Sequence, residues 1–303
     1  MTITYAAVTE RRGVFITREA LSMLYTRYAF AAPFCAGKDV LEVACGPGPG
    51  LGYLARTGRL VVGGDCTADL VTEARRHYGG RVPILRLDAH DLPFAAASFD
   101  VVLLYEAIYY LARPEQFLEE CRRVMTGSGV LLISTVNRLW PGFNPSSLST
   151  RYFAAGELLA LLGERGFDVD LYGAFPGTAV SGRDRVVSAL RRAAIALNLI
   201  PRTMTGKAWL KRLFLGPLVP VPAEVEEALA SQSPLPIAPR SAPECQILFA
   251  VAHRRAAESE MCEARLAVRA ERRPRAQGER GARRGPNQAS RALSPKCARQ
   301  PEP

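Results

Sequence analysis

The chain of 303 residues is 48% hydrophobic and 22% charged, which is ordinary for a globular protein that buries a large core. No apolar run reaches the roughly 20 residues of a membrane span, and the beginning of the sequence lacks the apolar stretch of a secretory signal. We therefore expect a cytoplasmic protein. Seven cysteines without a C-x-x-C spacing and three scattered histidines disfavour a disulfide framework, and we expect no metal site.

The net charge of +10 is concentrated near the end of the sequence. Residues 254–303 hold 13 Lys and Arg against 6 Asp and Glu, and thus contribute +7 of the total. This segment has few large apolar side chains, so it cannot bury enough surface to offset the entropy of ordering. The sequence predicts one folded domain over 1–253 and a disordered basic tail over 254–303. Because the folded part is only mildly basic, nucleic acid is a disfavoured partner.

Short apolar segments alternate with amphipathic ones along most of the chain. A helix is predicted over 17–32, with Thr17 as its N-cap. Since the strands are apolar along their whole length, they indicate a parallel sheet covered on both faces, an α/β sandwich. The other predicted helices are 51–57, 67–78, 114–125 and 154–166. The predicted strands are 39–44, 60–65, 82–88, 98–106, 128–136, 167–175 and 246–252.

About 70 residues, 174–243, separate the sixth predicted strand from the seventh. They contain a basic amphipathic helix around 184–199 and a second helical segment at 207–215. We expect a helical insertion that packs as a lid over a neighbouring site. Two other interpretations stay open: peripheral contact of 184–215 with an anionic membrane surface, and an ordinary packed subdomain.

The most informative motif is the run E-V-A-C-G-P-G-P-G over 42–50, at the end of the first predicted strand. Its glycines let the backbone approach a ligand closely, and the helix that follows presents free N–H groups. A carboxylate ahead of such a loop, Glu42, can hold a cationic amine directly or through water. Asp65 ends the second strand 23 residues later, where an acid suits the two hydroxyls of a ribose.

A third acid, Asp88, ends the third predicted strand after another 23 residues. Ligands of open α/β sheets bind at the carboxyl ends of the strands, so all three acids should face one crevice. Together they describe a ligand with an amino-acid end, a ribose and a base that carries an exocyclic amine. S-adenosylmethionine is such a ligand, and we expect it as the cofactor.

Several runs of the sequence together resemble a known family. The runs DVLEVACGPG, GGD, RLDAHDLPF, FDVVLLYEAIYYL and RVMTGSGVLLIS are similar to the class I S-adenosylmethionine-dependent methyltransferases of the type 11 group, which includes ubiquinone- and menaquinone-biosynthesis-like enzymes. The resemblance covers about 35–172 and the final strand. It implies a Rossmann-like, seven-stranded, mostly parallel sheet in the order 3-2-1-4-5-7-6, with the last strand antiparallel. Ala44 is a departure, because the family usually has glycine there.

The resemblance also implies roles for individual residues. Glu42, Gly46 and Gly48 would contact the methionine end, and Asp65 would bind the ribose hydroxyls. Asp88 would accept from the adenine amino group. The full set of cofactor-binding residues that we predict is Glu42, Ala44, Gly46, Gly48, Asp65, Cys66, Asp88, Ala89, Leu92 and Tyr105. The predicted catalytic residues, near the sulfonium and the acceptor, are Tyr105, Glu106 and Tyr109.

Alternatives remain for the loop and for single residues. Residues 50–55 match a loose nicotinamide-dinucleotide fingerprint, but this match begins too far past the strand. Glu106 either orients the acceptor or caps the next helix, and Tyr109 either shapes the acceptor pocket or only packs. His90 falls in the predicted adenine segment, where a solvated loop histidine is favoured over a general base.

The expected activity is transfer of a methyl group to a small-molecule or glycan- or lipid-linked acceptor, by O-methylation. Because no single strong base stands out, we expect catalysis mainly by proximity and orientation. Two other functions stay open. One is methylation of a nucleic acid such as RNA, and the other is a non-catalytic module that binds adenosylmethionine.

Overall fold

The computed structural model describes residues 5, 10–176, 218–226, 232–239 and 244–255. The helices predicted at 184–199 and 207–215 lie outside these described residues, as does the predicted tail from 256 onward. None of the helices in the described ranges is long and apolar enough to cross a membrane.

The described helices begin and end close to the predicted boundaries. The first helix starts after Thr17, whose hydroxyl accepts a hydrogen bond of 3.1 Å from the Ala20 N–H. The predicted N-cap is thereby confirmed. The helices are α1 (Arg18–Cys35), α2 (Leu51–Leu54), α3 (Ala68–Tyr78), α4 (Pro114–Val124) and α5 (Ala155–Glu164), with a 3₁₀ turn at Ile108–Tyr110.

All seven predicted strands are present, and three short strands join them. The strands are β1 (Phe15–Thr17), β2 (Asp39–Val43), β3 (Leu60–Asp65), β4 (Ile84–Arg86), β5 (Phe99–Tyr105), β6 (Met125–Val136), β7 (Phe167–Pro176), β8 (Leu218–Pro220), β9 (Leu235–Pro236) and β10 (Cys245–Arg254). The predicted strands correspond to β2 to β7 and β10.

One large sheet has the order β4-β3-β2-β5-β6-β10-β7-β9. The strands from β4 to β6 in this order pair in parallel, whereas β10 is antiparallel to both β6 and β7. The predicted order and the antiparallel last strand are therefore confirmed.

The insertion adds strands that the sequence analysis did not predict. The edge strand β9 pairs with β7 and makes the sheet eight-stranded rather than seven-stranded. The strand β8 pairs antiparallel with β1 in a separate two-stranded sheet. With two and three residues, these strands are too short to show a hydrophobic period in the sequence.

The sheet has apolar side chains on both faces, as a parallel sheet requires. Alternate residues of β5 point to opposite faces: Val102 and Leu104 pack with α4 and α5, while Val101 and Leu103 pack with α1 and α3. The same alternation places Glu42 and Tyr105 on the face that α1 covers, at the carboxyl ends of their strands. This end of the sheet holds the candidate site.

Candidate active site at the carboxyl ends of the strands

A cavity of about 410 Å³ opens where β2, β3 and β5 end. Ten of the predicted site residues line it. They are Glu42, Ala44, Gly46, Asp65, Cys66, Asp88, Ala89, Tyr105, Glu106 and Tyr109. The structure therefore brings together side chains that are up to 67 residues apart in the sequence, as the strand-end argument predicted.

The loop after β2 turns through three residues with left-handed backbone angles. Gly46 and Gly48 have φ values of 59° and 77°, which glycine adopts without steric cost. Ala44 has φ 58°, so its Cβ is strained against the backbone. Alanine at this position therefore raises the energy of the backbone, although the loop still makes the same turn.

Two predicted cofactor residues do not line the cavity. Gly48 has a structural place in the loop, since its carbonyl accepts a hydrogen bond of 2.5 Å from the Tyr78 hydroxyl. That hydroxyl in turn accepts from the Gly52 N–H at 3.0 Å, so Tyr78 ties the loop to α2. Leu92 is 2% exposed and packs in the core beside Ala89.

Asp65 is held by backbone amides on both of its oxygens. Its Oδ2 accepts from the Gly46 N–H at 3.0 Å, and its Oδ1 accepts from the Thr67 N–H at 2.7 Å. The side chain is buried, and each oxygen has lone pairs beyond those the amides use. Asp65 therefore presents a fixed pair of acceptors for two hydroxyl groups.

Glu42 is buried at the bottom of the cavity and held on one side only. Its Oε1 accepts a hydrogen bond of 2.7 Å from the Tyr28 hydroxyl, whereas its Oε2 has no partner in the described part of the chain. The Tyr28 ring fits here because Gly50 has no side chain; a Cβ there would collide with the ring. Burial raises the pKa of Glu42 to about 7, against the lowering effects of Tyr28 and Arg27.

Asp88 is oriented by the histidine two residues further on. Its Oδ1 accepts from the His90 backbone N–H at 2.9 Å and lies 2.7 Å from His90 Nδ1. The His90 Nε2 accepts from the Arg113 N–H at 3.3 Å, so Nδ1 carries the proton and donates to Asp88. These hydrogen bonds lower the pKa of Asp88. His90 is thus a bonded side chain, and its interpretation as a solvated histidine was wrong.

Glu106 lines the same cavity and lies just after β5. Its Oε1 accepts from the Ser134 hydroxyl at 3.2 Å and its Oε2 from the Tyr109 hydroxyl at 3.1 Å. The backbone of Glu106 has φ 50° and is fixed by a bond of 2.8 Å to the Ser134 carbonyl. Burial raises the pKa of its carboxyl, although the positive charge of Arg27 opposes this. Glu106 therefore has a strained backbone, and its carboxylate is held in one orientation with a raised proton affinity.

Residues from α1 and its flanks complete the cavity, and the sequence analysis missed them. Arg27 is 7% exposed and forms an ion pair of 2.8 Å with Glu10. Together with Tyr28, it lies on the helix face that packs on the sheet. A charged residue at an apolar helical position, four residues after Met23, was the signal that could have revealed Arg27. For Glu10, no local pattern marks its role.

An aromatic cluster forms the wall beside Glu106. The ring of Tyr109 stacks on Tyr152 at 4.6 Å and contacts Tyr110 at 4.5 Å, and Tyr110 contacts Tyr5 at 5.0 Å. Tyr109 therefore packs against the neighbouring rings, and it also lines the cavity and donates a hydrogen bond to Glu106. Packing and a place in the pocket wall are thus compatible for this residue. The cavity thus has a polar end with Glu42, Asp65 and Asp88, called the donor end below. The part of the lining around Glu106, with the aromatic cluster beside it, is called the acceptor end.

The residues at the donor end fit S-adenosylmethionine. The unpartnered Glu42 Oε2 is a buried acceptor that a cationic amine can satisfy, since an unpaired buried carboxylate oxygen is costly. Asp65 offers its acceptor pair to a ribose diol, and Asp88 keeps its Oδ2 for an exocyclic amine. These three positions reproduce the order amine, ribose, base.

The comparisons with known proteins agree with this geometry. A family of methyltransferase domains, type 11, matches residues 41–133. A Mycobacterium tuberculosis protein named a "probable S-adenosylmethionine-dependent methyltransferase" is 36% identical over 189 residues, which are 60% of this chain and 66% of the relative. The chain therefore spans just under two thirds of that relative. A fatty-acid O-methyltransferase of Mycolicibacterium smegmatis is 40% identical over 99 residues, or 32% of this chain and 36% of that enzyme.

A solved structure supports the fold. The crystal structure of an S-adenosylmethionine-dependent methyltransferase from Thermotoga maritima superposes with a TM-score of 0.50, covering 78% of this chain and 92% of that one. Sequence identity is 14%, so the likeness concerns the fold alone. The chain therefore shares the fold of that methyltransferase, and residues 41–133 match a methyltransferase domain.

Proposed function

Because residues 41–133 are an S-adenosylmethionine-dependent methyltransferase domain, we propose that the whole chain methylates a hydroxyl group of an apolar small-molecule or lipid-linked acceptor. The observation that carries this proposal is the position of Glu106. Its carboxylate lies in the same cavity as the three acids of the donor end, held by two hydroxyl groups and beside an apolar wall.

At the donor end, Glu42 would hold the amine, Asp65 the ribose hydroxyls and Asp88 the adenine amine. Bound S-adenosylmethionine supplies a methyl group activated by its sulfonium. The protein does not have to create an electrophile, so its own contribution is orientation, exclusion of water and removal of a proton from the acceptor.

Glu106 is the group that we assign to this proton. Burial raises the pKa of the Glu106 carboxyl, which makes its carboxylate a stronger base than an exposed one. Glu106 would accept the hydroxyl proton of the acceptor, while Tyr109 and Ser134 keep its two oxygens in place. Tyr109 is therefore a positioning residue for the base.

The acceptor end favours an apolar, uncharged acceptor. Met23, Val136 and Ile247 line the cavity there together with the aromatic cluster. Arg27, a buried cation that lines the cavity, is already neutralised by Glu10. An acyl chain or ring that carries a hydroxyl group suits this lining. The likeness to a fatty-acid O-methyltransferase supports an oxygen as the methylated atom.

The insertion belongs to the same domain in this proposal, with residues 1–253 folding together and 254–303 forming the basic tail. The support comes from residues 218–226. The Val225 N–H donates to the Pro49 carbonyl at 2.7 Å, and Glu224 pairs with His77 at 2.7 Å and with Arg81 at 2.6 Å. These contacts attach residues 218–226 to the Gly-rich loop and to α3, which supports one folded domain that includes the insertion.

The test is transfer of isotope-labelled methyl groups to a panel of hydroxylated lipids, glycolipids and phenols, followed by mass spectrometry. For Glu106→Gln, we expect turnover on the best acceptor to fall by about a hundredfold, because a general base contributes roughly that much. Binding of S-adenosylhomocysteine should be unchanged. Glu119→Gln, which removes a surface ion pair with Arg165, is the matched control and should turn over normally. Full turnover of Glu106→Gln would contradict the assignment of the base.

A further inference from the structure

A second cavity, of about 380 Å³, adjoins the first one along the Gly-rich loop. Residues from four segments line it: the chain ahead of β1, the loop itself, the last two turns of α3, and the insertion just after β8. They are Glu10, Arg12, Pro47, Pro49, Glu73, Arg76, His77, Pro222 and Ala223. Glu10, Pro47 and Pro49 line both cavities, whereas the three acids of the donor end and Glu106 line only the first. The second cavity is therefore a neighbouring site with its own chemistry.

Contacts between these segments form the walls of the second cavity. The Glu73 carboxylate accepts a hydrogen bond of 2.9 Å from the Arg11 Nε–H, which attaches the chain ahead of β1 to α3. His77 lies 2.7 Å from Glu224, which attaches the insertion to the same helix. The pairing of β1 with β8 joins the insertion to the chain ahead of β1. The lining residues therefore lie on segments that are bonded directly to one another.

The acids that line the second cavity are already paired with cations. Both oxygens of Glu10 accept from one terminal nitrogen of Arg27, at 2.8 and 3.0 Å. Glu73 accepts from both the Nε and a terminal nitrogen of Arg11. Each pair of acid and arginine is neutral as a unit, so these carboxylates do not balance any further positive charge in the cavity.

Two arginines in the lining are left without a counter-charge. Arg12 and Arg76 are exposed, and neither has a hydrogen bond or an ion pair with any residue that the structure describes. Arg76 follows Glu73 by three residues and shares its helix face. Arg12 is the chain neighbour of Arg11, the partner of Glu73. Both unpaired arginines thus lie beside one ion pair, and they give the cavity two uncompensated positive charges.

We propose that the second cavity is a binding site for an organic phosphate, with Arg12 and Arg76 donating to the phosphate oxygens. A phosphate monoester carries a charge of about −2 near neutral pH and presents strong acceptor oxygens. This charge matches the two unpaired arginines, and a planar guanidinium group can donate two parallel hydrogen bonds to phosphate. The site lies beside the cavity of the proposed methyl transfer and does not depend on that function.

The rest of the lining indicates a ligand larger than a bare phosphate. A volume of about 380 Å³ is in the range of small-molecule sites. Apolar surface without side-chain hydrogen-bonding groups comes from Pro47, Pro49, Pro222 and Ala223. In this arrangement the carbon part of the ligand packs on these residues, while its phosphate binds to the arginines. Glycerol phosphate, either free or as the headgroup of phosphatidic acid, has this chemistry.

Two measurements on the full chain test the site and distinguish a free phosphate from a lipid headgroup. The first is calorimetric titration with glycerol 3-phosphate, for which we expect one site per chain. The second is sedimentation with vesicles of equimolar phosphatidylcholine and phosphatidic acid. Vesicles of equimolar phosphatidylcholine and phosphatidylglycerol are the control, because they are anionic but carry no phosphate monoester. Binding of glycerol 3-phosphate identifies a soluble ligand, and binding of the phosphatidic acid vesicles alone identifies the headgroup.

Variants assign the two arginines. Arg12→Gln and Arg76→Gln each remove one positive charge from the cavity and leave the neighbouring ion pairs in place. Each should weaken the binding of the phosphate ligand about tenfold, because a hydrogen bond to a charged group contributes roughly that much. Arg18→Gln is the matched control, since Arg18 is an exposed arginine at the start of α1 that lines neither cavity. It should bind the phosphate as the parent does. All three variants should bind S-adenosylhomocysteine like the parent, which shows that they are folded.

The proposal is contradicted if neither glycerol 3-phosphate nor the phosphatidic acid vesicles bind. It is also wrong if Arg12→Gln and Arg76→Gln bind the phosphate as well as Arg18→Gln does, since binding then comes from the general positive charge of the chain. Equal binding of the two kinds of vesicle, without binding of glycerol 3-phosphate, leads to the same conclusion. A chain that binds glycerol 3-phosphate but not S-adenosylhomocysteine would refute the proposed function and support the phosphate site.

Discussion

At the donor end of the cavity, backbone amides hold two of the three acids, whereas at the acceptor end the carboxylate of Glu106 is held by side-chain hydroxyls alone. Asp65 is held by the amides of Gly46 and Thr67, and Asp88 by the amide of His90. Glu106 is instead held by the hydroxyls of Tyr109 and Ser134.

The difference shows which part of the site the fold itself determines. The backbone amides that hold Asp65 and Asp88 come from the strand ends and the loops after them, so these two positions follow from the sheet and its loops. Hydroxyl groups, aromatic rings and the pair of Arg27 with Glu10 depend on side chains from separate elements. In the proposed function, the donor end is therefore the general part of the site, and the acceptor end is the part that selects what is methylated.

The largest effect should come from Asp65→Ala. This substitution removes the acceptor of two ribose hydroxyls, each a charge-assisted hydrogen bond worth about 2 kcal/mol, and it frees the Gly46 amide. We expect the affinity for S-adenosylhomocysteine to fall about a thousandfold in calorimetry. Asp69→Ala, on the exposed side of α3, is the control and should bind normally. If the affinity for S-adenosylhomocysteine fell less than tenfold, the backbone of the loop rather than the Asp65 carboxylate would supply most of the binding energy.

The next effect concerns the stability of the ligand-free protein. The folded pKa of Glu42, about 7, lies above its ordinary value of 4.5. A carboxyl with a raised folded pKa contributes stability that is fully present below pH 4.5 and is lost as the pH rises to 7. At pH 8 the loss amounts to about 3 kcal/mol.

Glu42→Gln isolates this contribution, because glutamine has the same shape and no charge. Without ligand, the variant should exceed the parent in free energy of unfolding by a margin that grows from pH 4.5 to pH 7 and then stays constant. Denaturant titration across this range is the measurement. A difference that shrinks as the pH rises would show that the buried carboxylate is well paired inside the protein, contrary to the unpartnered Oε2.

A smaller effect is expected from Gly50→Ala. The added Cβ collides with the Tyr28 ring, and relieving an overpacked contact of this kind costs about 2 kcal/mol. As the ring moves, its hydrogen bond to Glu42 should be lost as well. The matched control is Gly156→Ala in α5, where a Cβ meets open space. It should raise the free energy of unfolding by about 0.5–1 kcal/mol, since alanine favours the helix. Equal effects of both substitutions would contradict the tight fit of Tyr28.

The smallest effect should come from Ala44→Gly. The φ of 58° strains an alanine, and glycine removes the strain but adds freedom to the unfolded chain. We expect the free energy of unfolding to rise by up to about 1 kcal/mol, as measured by thermal or denaturant unfolding. The affinity for S-adenosylhomocysteine should stay unchanged. A loss of stability would show that the Ala44 methyl contributes more by packing on the core than its backbone costs.

The difference between the two ends also explains how far the sequence predicted the molecule. The three acids of the donor end were predicted because each acid lies at the end of an apolar strand, and strand ends meet at one edge of a parallel sheet. The sheet order was predicted from the resemblance to the family. The positions of Gly48 and Leu92 were less accurate, because a place in the loop does not tell whether a residue faces the ligand or the protein.

The acceptor end was predicted only at Glu106 and Tyr109, which follow β5 directly. Arg27 and Glu10 lie before β2, the first strand of the large sheet along the chain, and their pairing is a contact over 17 residues that no local pattern encodes. The same holds for Tyr78, whose hydroxyl reaches the loop from the last residue of α3. The short strands β8 and β9 depend wholly on their partners, so the sequence of the insertion after 215 predicted no strand there.

The most direct test of the central claim is a crystal structure of the full chain with bound S-adenosylhomocysteine. We predict that the ligand's amino group contacts Glu42, its ribose hydroxyls contact Asp65 and its adenine amine contacts Asp88. A ligand bound outside this cavity, or bound in it with the adenine beside Glu42, would contradict the account.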